Sequence, residues 1–450
     1  MNSPRVLFAA PASGSGKTTV VCGLLRAFKN RGMAVRAFKC GPDFIDPLFH
    51  ERVVGVPSGT LDLFFSDEEQ LKRLFCRHAV GAEVSLIEGV MGYYDGFGTA
   101  TDRASSYAVA QALDTPVVLI VDGRGQSLSA LATVEGFLRF LPDSHIRGVI
   151  FNRMSESVYA ALKPEAEKLG VRPLGYVPRC PELTIESRHL GLVTPGEIAD
   201  LNEKLDKLAA LLGQTVDLDG LLGLANEAPT PDAPPAPAIS PMPPTKIAIA
   251  RDEAFCFLYR DNLDLLRDYG AELQFFSPLH DTALPEGARG LILPGGYPEL
   301  YARELSENEP MRRAIGLAVH NGMPCLAECG GFLYLHRELE DMEGRSGPMV
   351  GVLDARAYRT QKLGRFGYVT LTPNADTAFL PAGETIRGHE FHYYESEDCG
   401  DTFHAQKPTG SRAWDCGHAE GPLLMGFPHL YYPSNPKLIE RFLRRCAKEV

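Results

Sequence analysis

The stretch Val6-Leu-Phe-Ala-Ala-Pro-Ala-Ser-Gly-Ser-Gly-Lys-Thr-Thr19 carries a short apolar run into a glycine-rich turn, and an amphipathic pattern follows from Thr18 to Asn30. Strand, loop and helix in that order make a phosphate cradle. Gly14 and Gly16 let backbone N–H groups approach phosphate oxygens, Lys17 reaches the terminal phosphates, and the Thr18 hydroxyl suits Mg²⁺. Ser13, Ser15 and Thr19 complete the nucleotide-binding set. Pro11 stands where the usual pattern has a glycine six residues before the lysine, so the loop is a variant. The plainer reading is a glycine-rich turn without a nucleotide; Gly-Lys-Thr-Thr in this context argues against it.

Outward from the loop, apolar runs at Ala34–Phe38, Val84–Ile87, Val117–Val121 and Gly148–Phe151 alternate with helical patterns such as Ser105–Leu113 and Ser127–Phe140. Such alternation predicts an α/β fold, here a P-loop NTPase-like, doubly wound parallel sheet covered on both faces. The residues that follow the runs are Lys39, Glu88, Asp122 and Asn152. Ligands of open α/β sheets bind beyond the carboxyl ends of the strands, so these polar groups are expected to meet in one crevice.

The 450 residues are too many for one core. A proline-rich break from Ala225 to Thr245 divides them, because proline fixes φ and removes backbone donors. The expected domains are 1–224, a linker over 225–244, and 245–450. The second repeats the α/β pattern, with strands at Lys246–Ala250, Glu272–Phe276, Gly290–Leu293 and Pro324–Glu328, and helices at Leu258–Tyr269 and Gly330–Leu339. The net charge of −12 argues against nucleic acid as the main partner. No apolar run reaches membrane-spanning length, and the first apolar stretch is too short for a signal-peptide core and flows into the phosphate-loop pattern, so the chain reads as cytoplasmic. Ten cysteines are scattered without disulfide or zinc spacing and read as reduced.

Two acidic loops follow strands. Lys39-Cys-Gly-Pro-Asp-Phe-Ile-Asp46 follows the second run and Glu88-Gly-Val-Met-Gly-Tyr-Tyr-Asp95 the third. Mg²⁺ in nucleotide sites takes one or two carboxylates with phosphate oxygens and water, which assigns Asp46 and Glu88 to the metal beside Thr18. Lys39 is assigned to the transferring phosphoryl group, and Asp43 and Asp95 to positioning the acceptor or handling protons. Turn chemistry is the bland alternative for either loop alone.

At this point the chain resembles the cobyrinic acid a,c-diamide synthase family. Lys39–Pro47 looks like the family's Gly-Pro-Asp-Tyr-Ile-Asp-Pro motif, with Phe44 in place of tyrosine. Glu88–Gly96 is similar to its Glu-Gly-Val-Met-Gly-x-Tyr-Asp-Gly, and Ser187–Leu192 matches a further signature. Asn152 resembles the base-recognition asparagine of the dethiobiotin-synthetase-like ATPases, and Ala10 replaces a glycine common at the start of the family's loop. The resemblance implies that ATP phosphorylates a substrate carboxylate and that ammonia displaces the phosphate.

Leu326-Ala-Glu-Cys329-Gly-Gly-Phe places a cysteine on a strand-to-helix turn, where its sulfur is expected to be exposed and the helix N-terminus to favour the thiolate. Leu293-Pro-Gly-Gly-Tyr-Pro-Glu299 is a second glycine turn. Gly296 and Gly330 are the expected oxyanion donors. This half resembles a class I glutamine amidotransferase of the cobyrinic and cobyric acid synthase branch, whose Gly-His-Glu-Phe-His-Tyr is matched by Gly388–Tyr393. The resemblance implies His429 as the base for Cys329. Tyr431 stands where many amidotransferases carry a glutamate, so a Cys–His pair is expected. His389 and His392 are expected to shape a cleft between the domains.

The combined expectation is a cytoplasmic, ATP-, Mg²⁺- and glutamine-dependent ligase of cobalamin biosynthesis, amidating the a and c carboxylates of cobyrinic acid through an acyl phosphate. An acyl phosphate hydrolyses and ammonia protonates in water, so a shielded path between the two sites is also expected. Ni-sirohydrochlorin or hydrogenobyrinate are alternative rings, and a ParA/MinD-like switch with a defunct thiol domain is the alternative class. The sequence leaves the metal in the ring and the oligomeric state open, a homodimer among the options.

Overall fold

In the computed structural model the described residues are 3–183, 185 and 195–447. The Ser187–Leu192 signature lies outside them. The chain forms two compact units, Met1–Ala236 and Pro237–Val450. The division falls inside the proline-rich stretch, which is shorter than expected at its N-terminal end. Helix Leu218–Asn226 takes in Ala225, which is fully buried, and strand Thr245–Ala250 begins at the far side.

The first unit is a seven-stranded sheet of β1 (Arg5–Ala9), β2 (Val35–Cys40), β3 (Ser58–Leu61), β4 (Val84–Glu88), β5 (Val117–Asp122), β6 (Ile146–Asn152) and β7 (Arg172–Val177). Its order is β3-β2-β4-β1-β5-β6-β7 and every pairing is parallel. Parallel strands need crossovers, and helices on both faces explain why the strands are apolar on both sides. Val6 and Phe8 point into one core with Val20, Leu24 and Phe28 of helix Lys17–Asn30, whereas Leu7 and Ala9 point into the other. Register places the loops: Phe8 and Lys39 both lie opposite Glu88, and Asp122 lies opposite Asn152.

The second unit contains a six-stranded sheet, Ala271–Phe276, Thr245–Ala250, Gly290–Leu293, Cys325–Glu328, Leu423–Gly426 and His418–Glu420 in spatial order. It is parallel except at its His418–Glu420 edge. A five-stranded antiparallel sheet runs Ala413–Cys416, Phe403–Gln406, Phe366–Pro373, Ile386–Phe391 and His429–Leu430. A four-stranded sheet is built from Ser346–Pro348, His336–Glu340, Leu353–Arg359 and Tyr394–Ser396.

Two helix expectations are corrected. Helix Gly330–Leu335 stops after six residues, and the rest of the expected helix is the strand His336–Glu340. Arg337, Glu338 and Glu340 are good helix formers, but strands on both sides supply a ladder that outweighs local propensity. Likewise Leu258 and Tyr259 precede helix Arg260–Asp268, because Phe255–Phe257 pairs with Gly295–Gly296. All ten cysteines are free, and no helix among the described residues is long and apolar enough to cross a membrane.

Candidate active site

In the first unit the loop after β1 folds as a cradle. Gly14 and Gly16 take left-handed φ values of +78° and +93°, and Gly16 precedes the first turn of helix Lys17–Asn30. A Cβ on Gly16 would lie 2.2 Å from Asn152 Nδ2, so glycine is what lets Asn152 reach the loop, where it donates to the Ser15 carbonyl at 2.8 Å. Ser15 is buried and its hydroxyl donates to the Ala12 carbonyl, whereas Ser13 is exposed. Thr19 Oγ1 accepts from the Ile185 N–H. A cavity of about 200 Å³ opens beside the loop, lined by Gly16, Thr19, Asn152 and the cations Arg124, Arg153 and Arg179. Arg153 donates to the Gly14 carbonyl and pairs with Asp122 at 2.7 Å.

The acidic loops meet beneath this cradle. Thr18 Oγ1 donates to Glu88 Oε1 at 2.6 Å, and Lys39 Nζ stands 3.1 Å from the same oxygen and 2.7 Å from Asp46 Oδ2. Glu88 is fully buried. Burial alone would lift its carboxyl, but Lys39, His50 and the Thr18 hydroxyl hold it below the usual range. Asp46 is pushed up, chiefly by burial, against the pull of Lys39. Lys17 is lowered to about 8 by burial and by the neighbouring Lys39 ammonium, and its Nζ donates to the Met91 carbonyl. Asp43 and Asp95 are engaged in local turns: Asp43 Oδ1 accepts from the Ile45 N–H at 2.7 Å, and Asp95 Oδ2 from the Gly92 N–H at 2.9 Å.

Among the described residues no group of three or more His, Cys, Asp or Glu side chains is gathered into a metal cage. Two carboxylates and a hydroxyl on a phosphate loop nevertheless match the donor set of Mg²⁺, which keeps waters and takes its other oxygens from phosphate. The sequence reading missed His50, whose Nε2 lies 3.4 Å from Glu88 Oε2 and whose Nδ1 lies 3.2 Å from the Ser58 hydroxyl. No motif flags it. It reaches Glu88 only because the chain turns through Ile45–Val54 and back to β3.

In the second unit Cys329 sits at the elbow between strand Cys325–Glu328 and helix Gly330–Leu335, with φ +45° and ψ −100°. The elbow is as expected, but the exposure is not. Cys329 is only 5% exposed, and burial together with the Glu299 and Glu390 carboxylates pushes its thiol well up. The helix that was to favour the thiolate is a single short segment, too weak a field against that burial.

His429 lies in strand His429–Leu430, directly opposite His389, and is lowered to about 3 by burial and by His389 and His392. The two glycine turns close the site. A Cβ on Gly295 would lie 2.1 Å from His429 Cε1, and one on Gly330 would lie 2.9 Å from the Gly296 nitrogen. The Gly295-Gly296 turn therefore touches both the imidazole and the residue after Cys329, and it brings the Gly296 and Gly330 backbones together. His389 and His392 belong to this unit's own architecture. His389 packs edge-on against Phe366 and Tyr368, and His392 is buried, stacked on Phe427 at 3.9 Å.

Residues 6–193 match the CobQ/CobB/MinD/ParA nucleotide binding domain, and residues 246–423 match the CobB/CobQ-like glutamine amidotransferase domain. The cobyrinate a,c-diamide synthase of Listeria innocua serovar 6a is 41% identical over 97% of this chain and 98% of its own. That of Caldanaerobacter subterraneus subsp. tengcongensis is 41% identical over 98% of each. The chain belongs to the cobyrinate a,c-diamide synthase family. It is accordingly a glutamine-hydrolysing amidoligase that uses ATP as cosubstrate, and a third relative, from Thermoplasma volcanium, is 37% identical along the whole chain. Each of these relatives spans 97% or more of the chain, so the matched length takes in both halves.

The Gly295 geometry yields an expected result. Gly295→Ala should lower glutamine hydrolysis about 10²-fold, because its methyl must displace the His429 ring by an ångström or more. Amidation supplied with free ammonia should be spared. Paired assays of glutamate release and ammonia-dependent product formation check it.

Proposed function

We propose that the first unit activates the a and c carboxylates of cobyrinic acid as acyl phosphates and that the second frees ammonia from glutamine to displace the phosphate. The observation that carries this reading is the convergence of Thr18, Lys39, Asp46 and Glu88 beneath the phosphate loop in a chain that also holds the Cys329 elbow. Thr18, Asp46 and Glu88 would hold Mg²⁺, which supplies charge neutralisation of the phosphates when bound. Lys17 and Lys39 bring two ammonium groups to the charge that spreads over the transferring phosphoryl oxygens. The loops carrying Asp43 and Asp95 lie beside those lysines and position the acceptor carboxylate. Asn152 and the arginine-lined cavity take the adenine end of the nucleotide.

In the second unit Cys329 Sγ attacks the glutamine side-chain carbonyl as His429 takes its proton. Collapse expels ammonia, to which His429 returns the proton, and water then releases glutamate from the thioester. The Gly296 and Gly330 N–H groups stabilise the oxyanion. A resting pair of neutral thiol and neutral imidazole suits this sequence, since charge separates only as the carbonyl is attacked.

Mass spectrometry of the product formed from cobyrinic acid with ATP, Mg²⁺ and glutamine tests the reading. Two carboxyl-to-amide conversions are expected, with one ATP cleaved per amide formed. An unaltered ring, or amides formed without ATP, would overturn it.

A further inference from the structure

We propose that Glu328, the residue before the nucleophile, is a positioning residue that fixes where the His429 imidazole stands relative to Cys329. This rests on the Cys329–His429 reading above. Glu328 is buried at the end of its strand and spends both carboxyl oxygens on the segment that carries His429. Oε2 accepts from the Leu430 N–H at 3.2 Å, and Oε1 accepts from the Tyr432 hydroxyl at 2.9 Å. One covalent step from Cys329, the carboxyl thus ties the nucleophile's own backbone to the residues on the C-terminal side of the base.

The same segment is pinned from a second direction. Asn262, at the start of helix Arg260–Asp268, donates Nδ2 to the Leu430 carbonyl at 2.8 Å and accepts from the Tyr432 N–H at 2.8 Å. The Tyr431 hydroxyl donates to Asp261 Oδ2 at 2.7 Å, and the Tyr431 N–H to the Arg387 carbonyl at 2.9 Å. Tyr431 occupies the place where many amidotransferases carry the acid that orients their histidine. In this chain its hydroxyl is taken by Asp261, and orientation passes to the backbone on which His429 rides.

Energetics favour function over packing for Glu328. Burial lifts its carboxyl to about 8, the signature of a group that costs stability to keep inside. An apolar side chain would fill the space without that cost, but it would sever the link from nucleophile strand to base segment. An ångström of misplacement between reacting groups costs about 10²-fold in rate, so such a link has a kinetic consequence out of proportion to its strength.

The test compares Glu328→Ala, Glu328→Gln and Tyr432→Phe for glutaminase kcat and KM, for ammonia-dependent amidation and for melting temperature. Glu328→Ala is expected to lose about 10- to 100-fold in glutaminase kcat with KM changed less than about two-fold, and to keep ammonia-dependent amidation. Glu328→Gln should recover most of the rate, because an amide still accepts from the Leu430 N–H and can donate to the Tyr432 oxygen. Tyr432→Phe, which removes one of the two links, should fall between them and serves if Glu328→Ala does not fold.

Full glutaminase activity in Glu328→Ala would overturn the proposal. So would equal losses in the Ala and Gln variants, or a parallel loss of ammonia-dependent amidation. Cys329→Ser assayed alongside separates the two claims: glutaminase surviving there would sink the site reading itself, whereas a dead Cys329→Ser beside a fully active Glu328→Ala would sink only the role of Glu328.

Discussion

Replacing Cys329 with serine should reduce glutamine-dependent amidation at least about 10³-fold while ammonium salts still drive the reaction. The loss is large because the hydroxyl holds its proton far more tightly than a thiol, and the proposed base is weak: burial lowers His429 to about 3. The spared ammonia reaction is the informative half, since the proposed function has the first unit activate the carboxylate with groups of its own. Parallel assays with glutamine and with ammonium chloride read the two halves. Loss of both reactions in a folded Cys329→Ser protein would show that Cys329 does more than release nitrogen.

The second large effect is expected from Lys39→Met. Lys39 Nζ is the hinge of the buried cluster, 2.7 Å from Asp46 and 3.1 Å from Glu88. Methionine keeps the apolar stem and removes the charge, leaving two buried carboxyl groups without their shared counter-ion. Breaking a buried ion pair from one side costs about 3–5 kcal/mol, so the melting temperature should fall visibly. Amidation should fall about 10²–10³-fold with either nitrogen source, because the proposed carboxylate activation precedes both. Near-native activity with ammonia would return the Asp46 and Glu88 loops to plain turn residues.

How much of this was legible in the sequence follows from what each feature depends on. The phosphate loop, Lys39, Asp46 and Glu88 were readable because strand, loop and helix succeed one another locally, and parallel register then carries loop ends to one side of the sheet. The Cys329 elbow was readable for the same reason. His50 was not, since its approach to Glu88 depends on a turn with no periodic signal. Residues 336–340 misled because their composition favours helix and only the flanking strands, distant in sequence, decide otherwise. The burial of Cys329 was hidden too: the elbow packs on the Gly295–Pro298 turn and its N–H is taken by the Gly426 carbonyl, both distant in sequence. Asp43 and Asp95 show the converse, since turn chemistry and chemistry at a substrate ask for the same residue type.

That covered sulfur has a bearing on how the protein ages. Peroxide and disulfide exchange consume the ionised form of cysteine, and a group kept protonated and screened from solvent offers them little. Molecules idling without glutamine are therefore expected to lose Cys329 to peroxide more slowly than a protein carrying an exposed thiolate.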